Sequence, residues 1–299
     1  MRLLLSILAF LTAVPAWAQS IQVVADTPVT ASLVLQVMDA EGEVRVLLPQ
    51  GASAHHHQMR PSDAQSLQEA DLLVWTGPEL TPWLDRAAAT LAGDIAQLRL
   101  LEVAGTHLRA YDDDQGHDDQ GHDDHENATD PHAWLDPDNA RVWLAAIAEI
   151  MGEADPQKRD TYAANAKAAA DRIASLDRDL QSRLAPHADK SFVVFHDAYG
   201  YFTDHFGLKP AIPVSLGDAS TPSAARLSAI RDRIAESGAV CAFPEYASDP
   251  RAIGAITEGT GIRMAGELSP EGSGSAGEDL YADLMTGIAD TLTTCLSES

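Results

Sequence analysis

The stretch following Pro156 constrains this 299-residue chain more than any other, because no Gly or Pro interrupts it until Pro186. Within it Tyr162, Ala166, Ala169, Ile173, Leu176, Leu180 and Leu184 recur at spacings of three and four, which puts them on one helical face. A helix of about 28 residues is on the order of 40 Å long. That exceeds what a crossover between neighbouring strands needs and predicts a stiff spar between two lobes. We place the linking helix at 156–186, an N-terminal lobe at 19–155 and a C-terminal lobe at 187–299.

Both flanking regions alternate short apolar runs with helical patterns. Ile21–Ala25, Val44–Leu48, Asp71–Trp75 and Leu98–Val103 read as strands, and Ser62–Ala70 and Pro82–Leu91 as helices, with Ser62 as an N-cap. After the spar, Ser191–Phe195, Ala211–Val214, Ala239–Phe243 and Ile262–Ala265 read as strands, although Pro213 weakens the second. Strands alternating with helices imply α/β lobes with parallel sheets. Ligands of such sheets sit beyond the carboxyl ends of the strands, here between the lobes.

Residues 1–18 stand apart from the fold. Arg2, the apolar run Leu3–Val14 and the small-x-small site Ala16-Trp17-Ala18 form a secretory signal peptide, cleaved after Ala18; the alternative is a membrane anchor. The two cysteines are Cys241 and Cys295, so neither offers a lipid anchor at the mature N-terminus. A periplasmic location follows, where two cysteines are expected to pair rather than remain separate buried thiols. The formal charge of −25 excludes nucleic acid and other polyanions as partners and is compatible with attracting cations.

Histidines carry the chemistry. His55 lies in the loop after the second strand, His132 in Asp130-Pro131-His132-Ala133-Trp134-Leu135-Asp136-Pro137, and His196 directly after the strand Ser191–Phe195. Imidazoles at strand ends and in loops suit Zn(II), with a carboxylate or water completing a tetrahedron. A ligating imidazole must be neutral, so binding is expected to weaken below about pH 6. A second set, His117, His122 and His125, is interleaved with aspartates in a tract at 112–126 that has nothing to bury and reads as a loose accessory metal loop or a merely solvated one. Asp136 reads as a helix cap or as an imidazole-orienting carboxylate, and Asp197 shares the second possibility. His107, His187 and His205 fit no motif and read as surface residues.

The run Leu47-Leu48-Pro49-Gln50-Gly51-Ala52-Ser53-Ala54-His55, followed by Pro61-Ser62-Asp63, resembles the first ligand motif of the zinc-specific branch of the cluster A-I solute-binding proteins, the metal receptors of ABC importers. The motifs around His132 and Phe195-His196-Asp197-Ala198-Tyr199 resemble the second and third. The resemblance spans the mature chain. It implies two Rossmann-like lobes joined by a rigid helix, His55 rather than His56 or His57 as the ligand, and delivery of zinc to an ABC permease. A histidine at 196, where manganese receptors carry glutamate, points to zinc, and the cysteine positions match a disulfide of zinc receptors. The family's Leu-Asp-Pro turn is Leu268-Ser269-Pro270 here. The fourth ligand is therefore left open among Glu267, Glu271, Asp279 and water.

The expected protein is a monomeric binding protein rather than an enzyme, with a periplasmic zinc chaperone as a possible further partner. The alternatives are a zinc-dependent hydrolase, a manganese- or iron-specific receptor, and a zinc buffer or adhesin. Neither a His-Glu-x-x-His helix nor a Gly-x-Ser-x-Gly elbow favours the hydrolase.

Overall fold

The computed structural model describes residues 21–298 apart from 39–41, 92–94, 112–127, 220–222, 247, 273 and 275. The leader expected at 1–18 and His117, His122 and His125 lie outside the described residues. Among those described, no helix is long and apolar enough to cross a membrane.

Two parallel four-stranded sheets form the frame. In the first lobe β1 (Gln22–Ala25), β2 (Glu43–Val46), β3 (Leu72–Trp75) and β4 (Ala96–Arg99) run in the order β2-β1-β3-β4. In the second, β5 (Phe192–His196), β6 (Ile212–Ser215), β7 (Cys241–Phe243) and β8 (Arg263–Met264) repeat it as β6-β5-β7-β8. The chain leaves β1 and β5 toward one side and returns on the other, so each lobe has a switch point at that strand's carboxyl end. Leu72–Trp75 are all buried, as helix-covered parallel strands require.

Several sequence expectations shift. The fourth strand ends at Arg99, and Leu100–Glu102 form a 3-10 turn that buries both Leu100 and Leu101. Helix α2 (Pro61–Glu69) starts a residue before Ser62: Pro61 fixes the first helical φ, Arg60 takes the N-cap position, and its amide donates to Asp63 Oδ2 at 2.8 Å. Pro213 does not exclude β6, which lies at the edge of its sheet, where one missing N–H is tolerated.

The long helix is α5 (Arg159–Leu184), preceded by α4 (Pro137–Ala154) across a short turn. Of its expected stripe, Tyr162, Ala166, Ala169, Ile173, Leu180 and Leu184 are buried and Leu176 half-buried. The stripe belongs to a core that runs unbroken through both lobes, joining Leu33, Trp143 and Tyr162 to Phe192, Phe202 and Tyr281. Separate apolar clusters pack the outer faces, under α2 and α3 (Pro82–Leu91) in one lobe and under α7 (Ala224–Ser237) and α8 (Pro250–Thr257) in the other. Helix α9 (Leu280–Leu296) crosses back from the second lobe: the Tyr281 amide donates to Ser32 Oγ in α1 (Pro28–Val37), and the Tyr281 hydroxyl donates to the Trp134 carbonyl. Cys241 and Cys295 form a disulfide that ties β7 to α9, so the reading as separate thiols is excluded.

Candidate metal centre

Three sequence-distant imidazoles meet between the lobes. His132 opens the 3-10 turn Ala133–Leu135 and is wholly buried; His196 is the last residue of β5 and equally buried. His55 comes from the loop beyond β2, which is held on one side by the Trp83 indole donating to the Ala54 carbonyl (2.7 Å). The ring centroids lie 5.3 Å apart for His55 and His132, 6.0 Å for His55 and His196, and 5.2 Å for His132 and His196.

The nitrogens converge on a point. His132 Nε2 and His196 Nε2 are 3.3 Å apart, and two nitrogens bound tetrahedrally to one zinc at about 2.05 Å would be separated by about 3.3 Å. His55 Nε2 is buried without a hydrogen-bond partner among the described residues, 3.8 Å from Glu271 Oε1. One ligand atom from each of His55, His132, His196 and Glu271 can be chosen so that all lie within 4.8 Å of one another. Glu271 thus joins the cluster; Glu267 and Asp279 are exposed and stand outside it. The Trp134 indole donates to the Pro270 carbonyl (2.8 Å), which presses the Glu271 turn onto the first lobe.

Carboxylates set the rings. His132 Nδ1 lies 2.8 Å from Asp130 Oδ1, which also accepts the His132 amide. His196 Nδ1 lies 2.6 Å from Glu245 Oε2, and the His196 amide donates to Glu245 Oε1. A carboxylate can only accept, so each Nδ1 donates to it, which turns each Nε2 toward the centre. Asp130 is in turn gripped by Arg109, and burial pushes it up to about 7 against the His132 amide and the guanidinium.

The three imidazoles do not share one charge state. Burial, reinforced by His132 and His196, holds His55 well below the usual histidine range. Burial and then His196 do the same to His132. For His196 burial again opposes the charged form, but the charge and hydrogen bond of Glu245 win and push it up to about 9. The expectation that binding weakens below about pH 6 takes the imidazoles as unperturbed; Glu245 instead favours the charged form of His196 at higher pH. Two rings are thus held neutral, and the third is held charged by Glu245.

A sequence profile of the family described as "Zinc-uptake complex component A periplasmic", ZnuA, matches residues 23–295. The chain belongs to the ZnuA family. It is 52% identical over 307 residues to the high-affinity zinc uptake system protein ZnuA of Paracoccus denitrificans, covering 95% of this chain and 94% of that one. With the protein of the same description from Yersinia pestis it shares 33% identity over 275 residues, 87% of this chain and 86% of the other. Among solved structures, the periplasmic zinc binding protein TroA from Treponema pallidum superposes with a TM-score of 0.79 at 20% identity, over 93% of this chain and 99% of that one. That likeness speaks to the fold, two parallel α/β lobes with a long helix.

Against this ZnuA frame, other expectations need correcting. The carboxylates at the Nδ1 atoms of His132 and His196 are Asp130 and Glu245, and of the two readings of Asp136 the capping one holds. Asp130 was visible, two residues before His132 in one motif; Glu245, 49 residues from His196, was marked only by its place just past β7. Asp136 caps α4, whose first residue is Pro137 rather than Asn139, by accepting the Asp138 amide at 2.9 Å. Asp136 also meets His107 Nδ1 at 3.1 Å and His205 Nδ1 at 3.0 Å, and His205 Nε2 reaches Asp177 at 2.8 Å. His205 is thus no plain surface residue. Burial disfavours its charge, but the two carboxylates raise it to about 9.

Proposed function

We propose that this chain captures Zn(II) in the periplasm through His55, His132, His196 and Glu271 and delivers it to the permease of an ABC-type importer. The observation that carries this reading is the convergence of two Nε2 atoms 3.3 Å apart with the buried Nε2 of His55, which has no hydrogen-bond partner among the described residues. Burying an imidazole nitrogen without a partner costs roughly 1–3 kcal/mol, and a bound ion would offset that cost. Three nitrogens and one carboxylate oxygen suit zinc, whereas calcium and magnesium call for oxygen throughout. Glu271 supplies the negative charge that Ser269 cannot. Export rests on residues 1–18 and cleavage after Ala18. Residues 156–186 act as the linker between lobes, and His117, His122 and His125 act as an accessory loop.

The test is metal competition against a chelator on the wild type and on His55→Ala, His132→Ala and His196→Ala. We expect one tight zinc in the wild type. Each variant should weaken it more than about a hundredfold, beyond the 10–100-fold usual for an outer partner. Wild-type affinity in all three variants would refute the assignment.

A further inference from the structure

The chain at residues 55–57 places three consecutive imidazoles in three environments. His55 faces the buried cluster. His57 packs edge-on against Trp83, with ring centroids 4.8 Å apart. His56 is exposed, and among the described residues it makes no hydrogen bond or ion pair. Its ring nevertheless stays close to the centre, with its centroid 6.5 Å from that of His55.

His132 and His196 are buried and the His55 side chain is 5% exposed, so an ion reaches them only through an opening in the protein. A cavity of about 250 Å³ lies beside them, walled by residues of both lobes that include Gly51, Ser53, Tyr246 and Ser269. Cluster members His196 and Glu271 line it, and so does His56. Besides His196, His56 is the one imidazole among its described wall residues. Glu271 is also near enough to His56 to feel its charge. A nitrogen donor and a carboxylate therefore share this cavity, and the carboxylate already belongs to the inner set.

Zinc arrives hydrated and must exchange water for protein atoms. A path that keeps about four donors around the ion throughout avoids stripping it bare in a buried channel. We infer that His56 is a transient entry ligand, which takes Zn(II) from solvent together with Glu271 and passes it to His55, His132 and His196. Glu271 then moves from outer to inner partner without letting go, and His56 is released. This inference rests on the reading of the buried cluster as the zinc site. Because His56 is bound only on the way, it lowers the barrier in both directions and leaves the end states alone.

The experiment is stopped-flow measurement of zinc association and of chelator-driven zinc loss on the full chain. The variants are His56→Ala and His56→Gln, with His187→Ala, a half-buried histidine whose ring meets Ser297 outside the metal cluster, as a control for loss of any imidazole. We expect association and dissociation rates to fall together by about tenfold, equivalent to roughly 1.4 kcal/mol on the barrier. Kd should stay within about twofold, and His187→Ala should match the wild type. Unchanged rates in both His56 variants would overturn the entry role. So would a weaker Kd with faster dissociation, which would make His56 an equilibrium ligand. Failure of the underlying reading looks different: the wild type itself would lack one tight zinc, or His196→Ala would bind like the wild type.

Discussion

In the first lobe the carboxylate of Asp26, one residue past β1, accepts the Thr27 amide and the Thr76 amide beyond β3, both at 2.8 Å. In the second lobe the corresponding strand β5 ends on His196, and the carboxylate comes from the far side: Glu245, beyond β7, accepts both the His196 amide and its ring. The two lobes have the same strand order, so the same gap between neighbouring strand ends is closed in two ways. Asp26 holds backbone amides and threonine side chains within its own lobe. Glu245 holds a side chain whose other nitrogen meets His132 of the first lobe. One difference in chemistry at a shared position separates a structural staple from a binding device, and topology alone does not choose between them.

Glu245→Gln attacks the device and should have the largest effect. Zinc affinity should fall 10–100-fold, as for other outer partners of a ligating imidazole. The same variant has a second readout. With His196 at about 9, the metal-free wild type carries that proton at pH 7.5 and must expel it on binding zinc. Calorimetry in buffers of differing ionisation heat should count about one proton for the wild type and none for Glu245→Gln. Equal counts would show that Glu245 does not hold the charge.

Asp26→Ala attacks the staple. Two buried amides lose their acceptor, and relief from burying a carboxylate, which raises the Asp26 pKa, offsets part of the damage. A net loss of roughly 2 kcal/mol in urea unfolding is expected, with zinc affinity unchanged. A large fall in affinity without loss of stability would erase the contrast between the lobes.

The smallest effect sharpens the comparison from outside both sheets. His205, in α6 (Gly200–Phe206), bridges Asp136 and Asp177. Its folded pKa of about 9 lies above the unfolded value of about 6.5, so its stabilisation is complete below pH 6.5 and disappears as pH rises through 9. The partly exposed setting limits the amount to about 1 kcal/mol. His205→Gln should flatten the stability profile between pH 6.5 and 9; an unaltered slope would mean the bridge contributes nothing.

Periodicity made the frame legible. The alternation of strand and helix, and the stripe from Tyr162 to Leu184, are local patterns imposed by burial on one face. The three histidines were legible through position, each at a strand end or in a loop facing the cleft. What escaped was set by distant pairing. Nothing near His196 in sequence points to Glu245. That Glu271, and not Glu267 or Asp279, stands beside the histidines depends on how Leu268 pairs beside Glu245 and how the chain turns at Gly272, where φ is +64°. Ser62 lost the N-cap because Pro61, by fixing φ, had already begun the helix.

The undivided core has a consequence for how a transporter could tell a loaded receptor from an empty one. Swinging the lobes apart would expose the apolar seam that joins Leu33 and Trp143 to Phe202 and Tyr281, which hydrophobic hydration strongly disfavours. The two forms should therefore share an outline in solution scattering. Recognition would then fall on the surface around the cleft mouth.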